Sequence, residues 1–240
     1  MYVAIGFAAQ LVDGALGMAY GVTASSLLLG AGVPPAVSSA TVHAAECFTT
    51  GVSAASHRAF GNIDREQFRR LLVPAMLGAA TGAYLLVMLP GDLLKPWIAA
   101  YLLLMGVVIL SKAFRECPSR RVTRRLAPLG FVGALADAIG GGGWGPIVAS
   151  NLLARGNAFR MTVGTVNAVE FFVTLTASVV FLVTLGLANW QVVAGLALGG
   201  MLAAPFGGWL VSRVRPRPMQ VAVGLLVIVL SVRTLWQSLG

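Results

Sequence analysis

Charged side chains are scarce in this sequence. Of 240 residues, 17 are Lys or Arg and 8 are Asp or Glu, so 10% are charged against 58% hydrophobic, with a mean hydropathy of +0.85. Soluble domains carry about 25% charged residues, which excludes an ordinary soluble globule. Cysteine is almost absent. Cys47 lies in an apolar block and Cys117 in a basic loop, and neither belongs to a CxxC pair or a disulfide framework. There is no HExxH, no GxSxG followed by a plausible triad and no Walker loop, so hydrolytic chemistry is disfavoured, a self-powered pump is excluded and no cofactor is expected. Strand-like alternation is missing, which excludes a β-barrel. The N-terminus has neither a basic region nor a small-residue cleavage site, so no secretory signal is expected there.

What remains is apolar, in blocks. Continuous runs cover 36–57, 68–90, 93–113, 160–184, 190–212 and 218–236, and glycine-interrupted runs cover 1–31 and 128–155. A run of about 20 apolar residues spans the hydrocarbon core at 1.5 Å per residue, so the chain reads as an all-α polytopic membrane protein with the lipid bilayer as its main partner. Its net charge is +9. The basic residues sit in short loops between apolar blocks, where they report topology rather than nucleic-acid binding.

The chain repeats itself. Residues 6–50 align with 130–174 without a gap at a shift of 124, and about 16 of the 45 positions are identical. The matches include Gly6/Gly130, Asp13/Asp137, Gly17/Gly141, Gly21/Gly145, Ser26/Ser150, Thr41/Thr165, Glu46/Glu170 and Thr50/Thr174. Repeats are the first thing to seek in a sequence. Here they divide the chain into 1–114, a basic linker at 115–126, and 127–240. Basic residues mark the loop at 57–70 in the first half, but the loops at 155–160 and 213–218 in the second. Equivalent loops therefore fall on opposite sides, which predicts two inverted-topology repeats. Inversion needs an odd number of crossings per half. Each half has three continuous blocks, so the glycine-broken block is expected to be re-entrant, with the linker cytoplasmic. A fully crossing broken block, with another segment failing to cross, is the competing arrangement.

The breaks are "DGALGMAYG" (13–21) and "DAIGGGGWG" (137–145). Non-helical backbone at membrane depth is tolerated only inside protein or beside a wet cavity. A helix restarting near Val22 or Pro146 offers free N–H groups and the positive end of a dipole to an anion. The glycines could instead serve tight helix packing, although four in succession at 140–143 exceed what packing at intervals requires. The next block carries Ser39, His43, Glu46, Thr50, Ser53 and His57 on one helix face, spaced by fours and threes. The second half answers with Val163, Asn167, Glu170, Thr174, Ala177 and Phe181. Ionisable residues inside a membrane segment are costly and mark sites by default; interhelical hydrogen bonding is the structural alternative. The candidate substrate-binding residues are Gly21, Thr23, Ser25, Ser26, His43, Glu46, Thr50, Gly145, Ser150, Asn167, Glu170 and Thr174. Asp13, Asp137, Glu46 and Glu170 are the candidates for proton coupling. His57, beside the loop, reads as an interface residue. His43 and Glu46 have an HxxE ligand spacing, but no third ligand is visible, so no metal site is assigned. A metal-cation transporter or channel using the membrane-embedded carboxylates and His43 remains the alternative.

The glycine-rich break with its aspartate, "SATVHAAECFTTGVSAASH", "GNID" and "GALADAIGGGGWGP" together resemble the TauE/SafE sulfite exporter family, also called the 4-toluene sulfonate uptake permease family, over almost the whole chain. The resemblance implies a bacterial inner-membrane transporter of sulfite, sulfonates or related organic acids. Members differ in substrate and direction. Oligomeric state is not readable from the sequence.

Overall fold

The computed structural model describes residues 2–16, 20–112, 114, 125–155, 157–186, 190–213 and 216–239. The linker boundary, apart from its last residues, and the tip of the first break at 17–19 lie outside the described residues. The described chain is all helix and turn, with no strand among the described residues.

The helices are α1 (Tyr2–Leu16), α2 (Tyr20–Gly30), α3 (Pro35–Ala59), α4 (Arg65–Met88), α5 (Gly91–Lys112), α6 (Leu126–Gly140), a π-helical turn (Gly145–Ala149) leading into α7 (Ser150–Ala154), α8 (Phe159–Leu185), α9 (Trp190–Arg213) and α10 (Pro216–Leu239). Their punctuation is local chemistry. Pro35 supplies a preset φ at the start of α3. Asp64, from "GNID", caps α4 by accepting from the backbone N–H groups of Glu66 and Gln67 at 3.0 and 3.2 Å. Gly186 closes α8 at φ +74. Among the described residues, Arg65–Met88, Gly91–Ser111 and Arg160–Leu185 are long and apolar enough to cross a membrane. Their outward faces carry exposed side chains such as Val73, Leu77, Trp97, Leu104, Val179 and Val183, the surface expected against lipid rather than water.

The broken blocks double back. α1 has 15 residues and α2 has 11, about 22 and 16 Å long, so neither spans the hydrocarbon alone. A methyl group on Gly133 of α6 would collide with Val148 of the π-helical turn. A straight helix would hold positions 15 apart about 22 Å from each other. In the first half the equivalent positions, Ala9 and Ala24, share one small buried cluster with Tyr20 and Val42.

Packing crosses between the two stretches of chain. α1 lies along α9, α9 against α3, α3 against α8, α8 against α4, and α4 along α6, forming a row of six helices. α5 and α10 pair with each other, and α2 packs on α10. The major pairings are preserved when α1–α5 are exchanged with α6–α10. One detail makes this concrete. A side chain at Gly6 would run into the Leu196 carbonyl, and one at Gly130, 124 positions on, would press on the Leu71 carbonyl. Both contacts need a glycine to bring backbones this close.

Candidate functional site

The two breaks meet near the middle of the row. Gly141 ends α6 in the left-handed region at φ +68, where glycine carries no side-chain penalty. A side chain at Gly142 would overlap the backbone of Gly21 and Val22, so the second turn rests directly on the start of α2. Gly141 lies against Ser25, whose hydroxyl donates to the Gly141 carbonyl. Gly140 abuts the ring of Tyr101, and Gly143 abuts its hydroxyl. Each of the four successive glycines thus has a close neighbour, Tyr101 serving both Gly140 and Gly143.

The two aspartates do the same structural job. The Tyr20 backbone N–H donates to Asp13 Oδ1 at 3.3 Å, and the Trp144 backbone N–H donates to Asp137 Oδ1 at 3.0 Å. In each half, then, a carboxylate reaches across the break to the backbone where the helix restarts. This satisfies a donor that an interrupted helix leaves orphaned. The aromatic side chains at these restarts are anchored too: Tyr20 Oη donates to the Leu196 carbonyl at 3.2 Å and Trp144 Nε1 to that of Val166 at 3.1 Å. Gly145–Ala149 is π-helical with Pro146 in its first turn. Such bulges arise where a regular ladder is interrupted, frequently at functional sites.

Asp137 also binds the stripe on α3. His43 Nε2 lies 3.1 Å from Asp137 Oδ2, and His43 Nδ1 lies 2.8 Å from the Ser39 carbonyl. Ser39 Oγ donates to the Ala138 carbonyl at 2.6 Å. The C-terminal end of α6 is therefore held by three side chains of the first half: Ser25, Ser39 and His43.

One small cavity collects the carboxylates. It is lined by Asp13, Tyr20, Gly21, Val22, Glu46, Asp137, Gly143, Gly145, Pro146 and Glu170. Of the residues singled out from sequence, Gly21, Gly145, Glu46, Glu170, Asp13 and Asp137 come together here. Glu46 hangs over the start of α2, where a methyl on Gly21 would sit 2.9 Å from Glu46 Oε1, and its Oε2 is buried with no hydrogen-bond partner.

The other candidates are buried but stand back from this lining. Thr50 returns its hydroxyl to the Glu46 carbonyl at 2.5 Å and Thr174 to that of Phe171 at 3.1 Å. Asn167 bridges the two stripes, accepting from Ser53 Oγ at 2.9 Å and donating to the Val163 carbonyl at 3.0 Å. Thr23, Ser26 and Ser150 carry buried hydroxyls with no protein partner. His57 sits at the loop end of α3, 3.2 Å from Asn62 Nδ2. The loop 61–64 docks on α8: Asp64 donates its backbone N–H to Thr165 Oγ1 at 2.8 Å, and Arg160 Nε donates to Asn62 Oδ1 at 2.5 Å. No cluster of three or more His, Cys, Asp or Glu placed to hold a metal occurs among the described residues. The sequence reading missed Tyr20, Gly143 and Tyr101. A matched aromatic before Gly21 and before Gly145 was the available signal for Tyr20 and Trp144; nothing in the apolar run around Tyr101 set it apart.

Apolar helices enclosing paired broken helices and buried carboxylates define a membrane transport protein. The sulfite exporter TauE/SafE family matches residues 2–234, and the chain belongs to that family. It is similar to the probable membrane transporter protein YtnM of Bacillus subtilis (strain 168), with 44% identity over 243 residues, covering 96% of this chain and 80% of that protein. No solved structure matches it. The chain is a membrane transporter and not an enzyme.

Proposed function

We propose that this chain carries small sulfur-containing anions, namely sulfite, sulfonates or related organic acids, across the bacterial inner membrane by alternating access. The observation that carries the reading is the meeting of both helix restarts and the carboxylates Asp13, Glu46, Asp137 and Glu170 on one cavity. Among the described residues, no Lys or Arg lines that cavity. The anion is held by backbone N–H groups around Gly21 and Gly145 and by neutral donors. The unpartnered hydroxyls of Thr23, Ser26 and Ser150 supply further donors nearby.

Ionised carboxylates would oppose an anion here. Two unit charges about 5 Å apart repel by about 3 kcal/mol at an effective dielectric of 20. Glu46 and Glu170 are therefore neutral when substrate is bound, and they exchange protons during the cycle. Asp13 and Asp137, each spent on a restart N–H, hold the breaks in shape. The two halves, 1–114 and 127–240, are inverted repeats, and the hairpins α1–α2 and α6–α7 are re-entrant. The doubling back of Gly133 on Val148 supports this arrangement.

Flux of sulfite in proteoliposomes across an imposed pH gradient tests the coupling. Glu46→Gln and Glu170→Gln are expected to abolish the acceleration by the gradient; pH-driven flux unchanged in both would sink the carboxylate shuttle. The second reading is a carrier for a metal cation, for which the four carboxylates lining the cavity are the candidate groups, although no three of them are placed to hold an ion together. Thermal stabilisation by Zn²⁺ or Ni²⁺, with none by sulfite or sulfonates, would reverse the order.

A further inference from the structure

Tyr101 lies on α5, in the first half, yet its ring is pressed against the glycine turn of the second half. Side chains at Gly140 or Gly143 would occupy the space of its ring and its hydroxyl. The hydroxyl is buried and has no hydrogen-bond partner. A buried O–H donor left unsatisfied is costly, so the Tyr101 hydroxyl has a hydrogen bond to offer to a bound molecule.

Four acceptors of this turn are already engaged. Asp137 Oδ1 receives the Trp144 N–H and Oδ2 faces His43. The Ala138 and Gly141 carbonyls accept from Ser39 and Ser25. Gly143, directly against the Tyr101 hydroxyl, also lines the cavity of the carboxylates. Tyr20, the tyrosine that lines the cavity, is spent on Leu196. The repeat offers no counterpart to Tyr101. The positions 124 and 125 residues on are Leu225 and Leu226, both exposed.

We propose that Tyr101 is a specificity-determining residue whose phenolic O–H donates to an oxygen of the bound oxyanion at the second glycine turn. This rests on the anion reading above and deepens it. A neutral donor present in one half only gives the site a preferred orientation for its ligand. It also favours ligands with a hydrogen-bond-accepting oxygen, such as sulfite and methanesulfonate.

Tyr101→Phe keeps the ring that fills the space beside Gly140 and Gly143, so folding is preserved. Binding of sulfite and of methanesulfonate to the purified full chain is measured by calorimetry, with Tyr84→Phe, an exposed tyrosine on α4, as the control. Tyr101→Phe is expected to weaken both ligands by about tenfold or more, the usual loss for a hydrogen bond to a charged group. Its unliganded melting temperature stays within a degree or two of the parent, and Tyr84→Phe binds as the parent does. Equal affinity in Tyr101→Phe and the parent overturns the role of Tyr101 and leaves the anion reading standing. No binding of either ligand to the parent overturns both.

Discussion

His43 on α3 and Asp137 on α6, 94 residues apart in the chain, face each other across 3.1 Å in a fully buried pair. Asp137 belongs to the break of the second half and His43 to the polar stripe of the first. Their contact ties the candidate site across the repeat boundary. It also accounts for an asymmetry in the sequence, since the position equivalent to His43 is Asn167, which instead bridges to Ser53.

Removing that partner strands a buried carboxylate oxygen. His43→Ala should destabilise the protein by about 2 kcal/mol, the scale of a buried hydrogen bond to a charged group. His43→Asn, which keeps a donor, should lose less. Thermal unfolding in detergent checks the order. Equal melting temperatures for the parent and the alanine variant would show that the pair contributes nothing to stability.

Gly142 faces the backbone of Gly21 and Val22, and neither segment can yield without the two breaks separating. Gly142→Ala should therefore cost about 1–3 kcal/mol, the range for overpacking a close contact. Gly32→Ala is the useful contrast. It is strained through its φ of +87 but has open space around it, so it should cost about 1 kcal/mol and leave transport intact. A Gly142→Ala variant with parental stability and flux would contradict the backbone contact.

The turn at 140–143 is held by Ser25 and Ser39 through the Gly141 and Ala138 carbonyls. The double change Ser25→Ala with Ser39→Ala should loosen α6 from the first half. Amide exchange over 138–144 then rises by about tenfold or more, for a loss of about 1 kcal/mol per bond. Exchange that rises equally throughout the chain would point to global rather than local loosening.

The inverted arrangement makes a spatial prediction. With Cys47 and Cys117 replaced by alanine, Val33→Cys should react with an impermeant thiol reagent from the outside of intact cells, and Glu66→Cys only from the inside. Val33 ends the first hairpin, and Glu66 follows the basic loop in the first turn of α4. Labelling of both from one side would break the inverted-repeat topology.

Much of the fold was legible because it is written locally. Apolar run length marks helices, glycine and proline mark their ends, and self-alignment exposes the second copy. Asp64 could be read as punctuation in "GNID", and it does cap α4. The four-three spacing on α3 placed Ser39, His43, Glu46, Thr50 and Ser53 on one buried face. Spacing could not say where each group points once buried. Thr50 and Thr174 turn to their own helices, whereas Glu46 and Glu170 reach the cavity. Asp13 and Asp137 were visible as paired carboxylates in matched breaks. Their bonding to the N–H seven residues on depends on how the intervening glycines fold.

The sequence by itself determined that the chain is a membrane protein, that it is built of two similar halves, and that each half contains a helix broken beside an aspartate. Composition and period are sums over neighbouring residues, and a bilayer reads them directly. Tertiary structure decided which helices pair across the halves, which of the buried polar groups share one cavity, and that Tyr101 of one half presses on the glycines of the other. Those contacts join residues far apart in the chain. They are set by close packing between backbones, through glycines whose only sequence signature is the absence of a side chain.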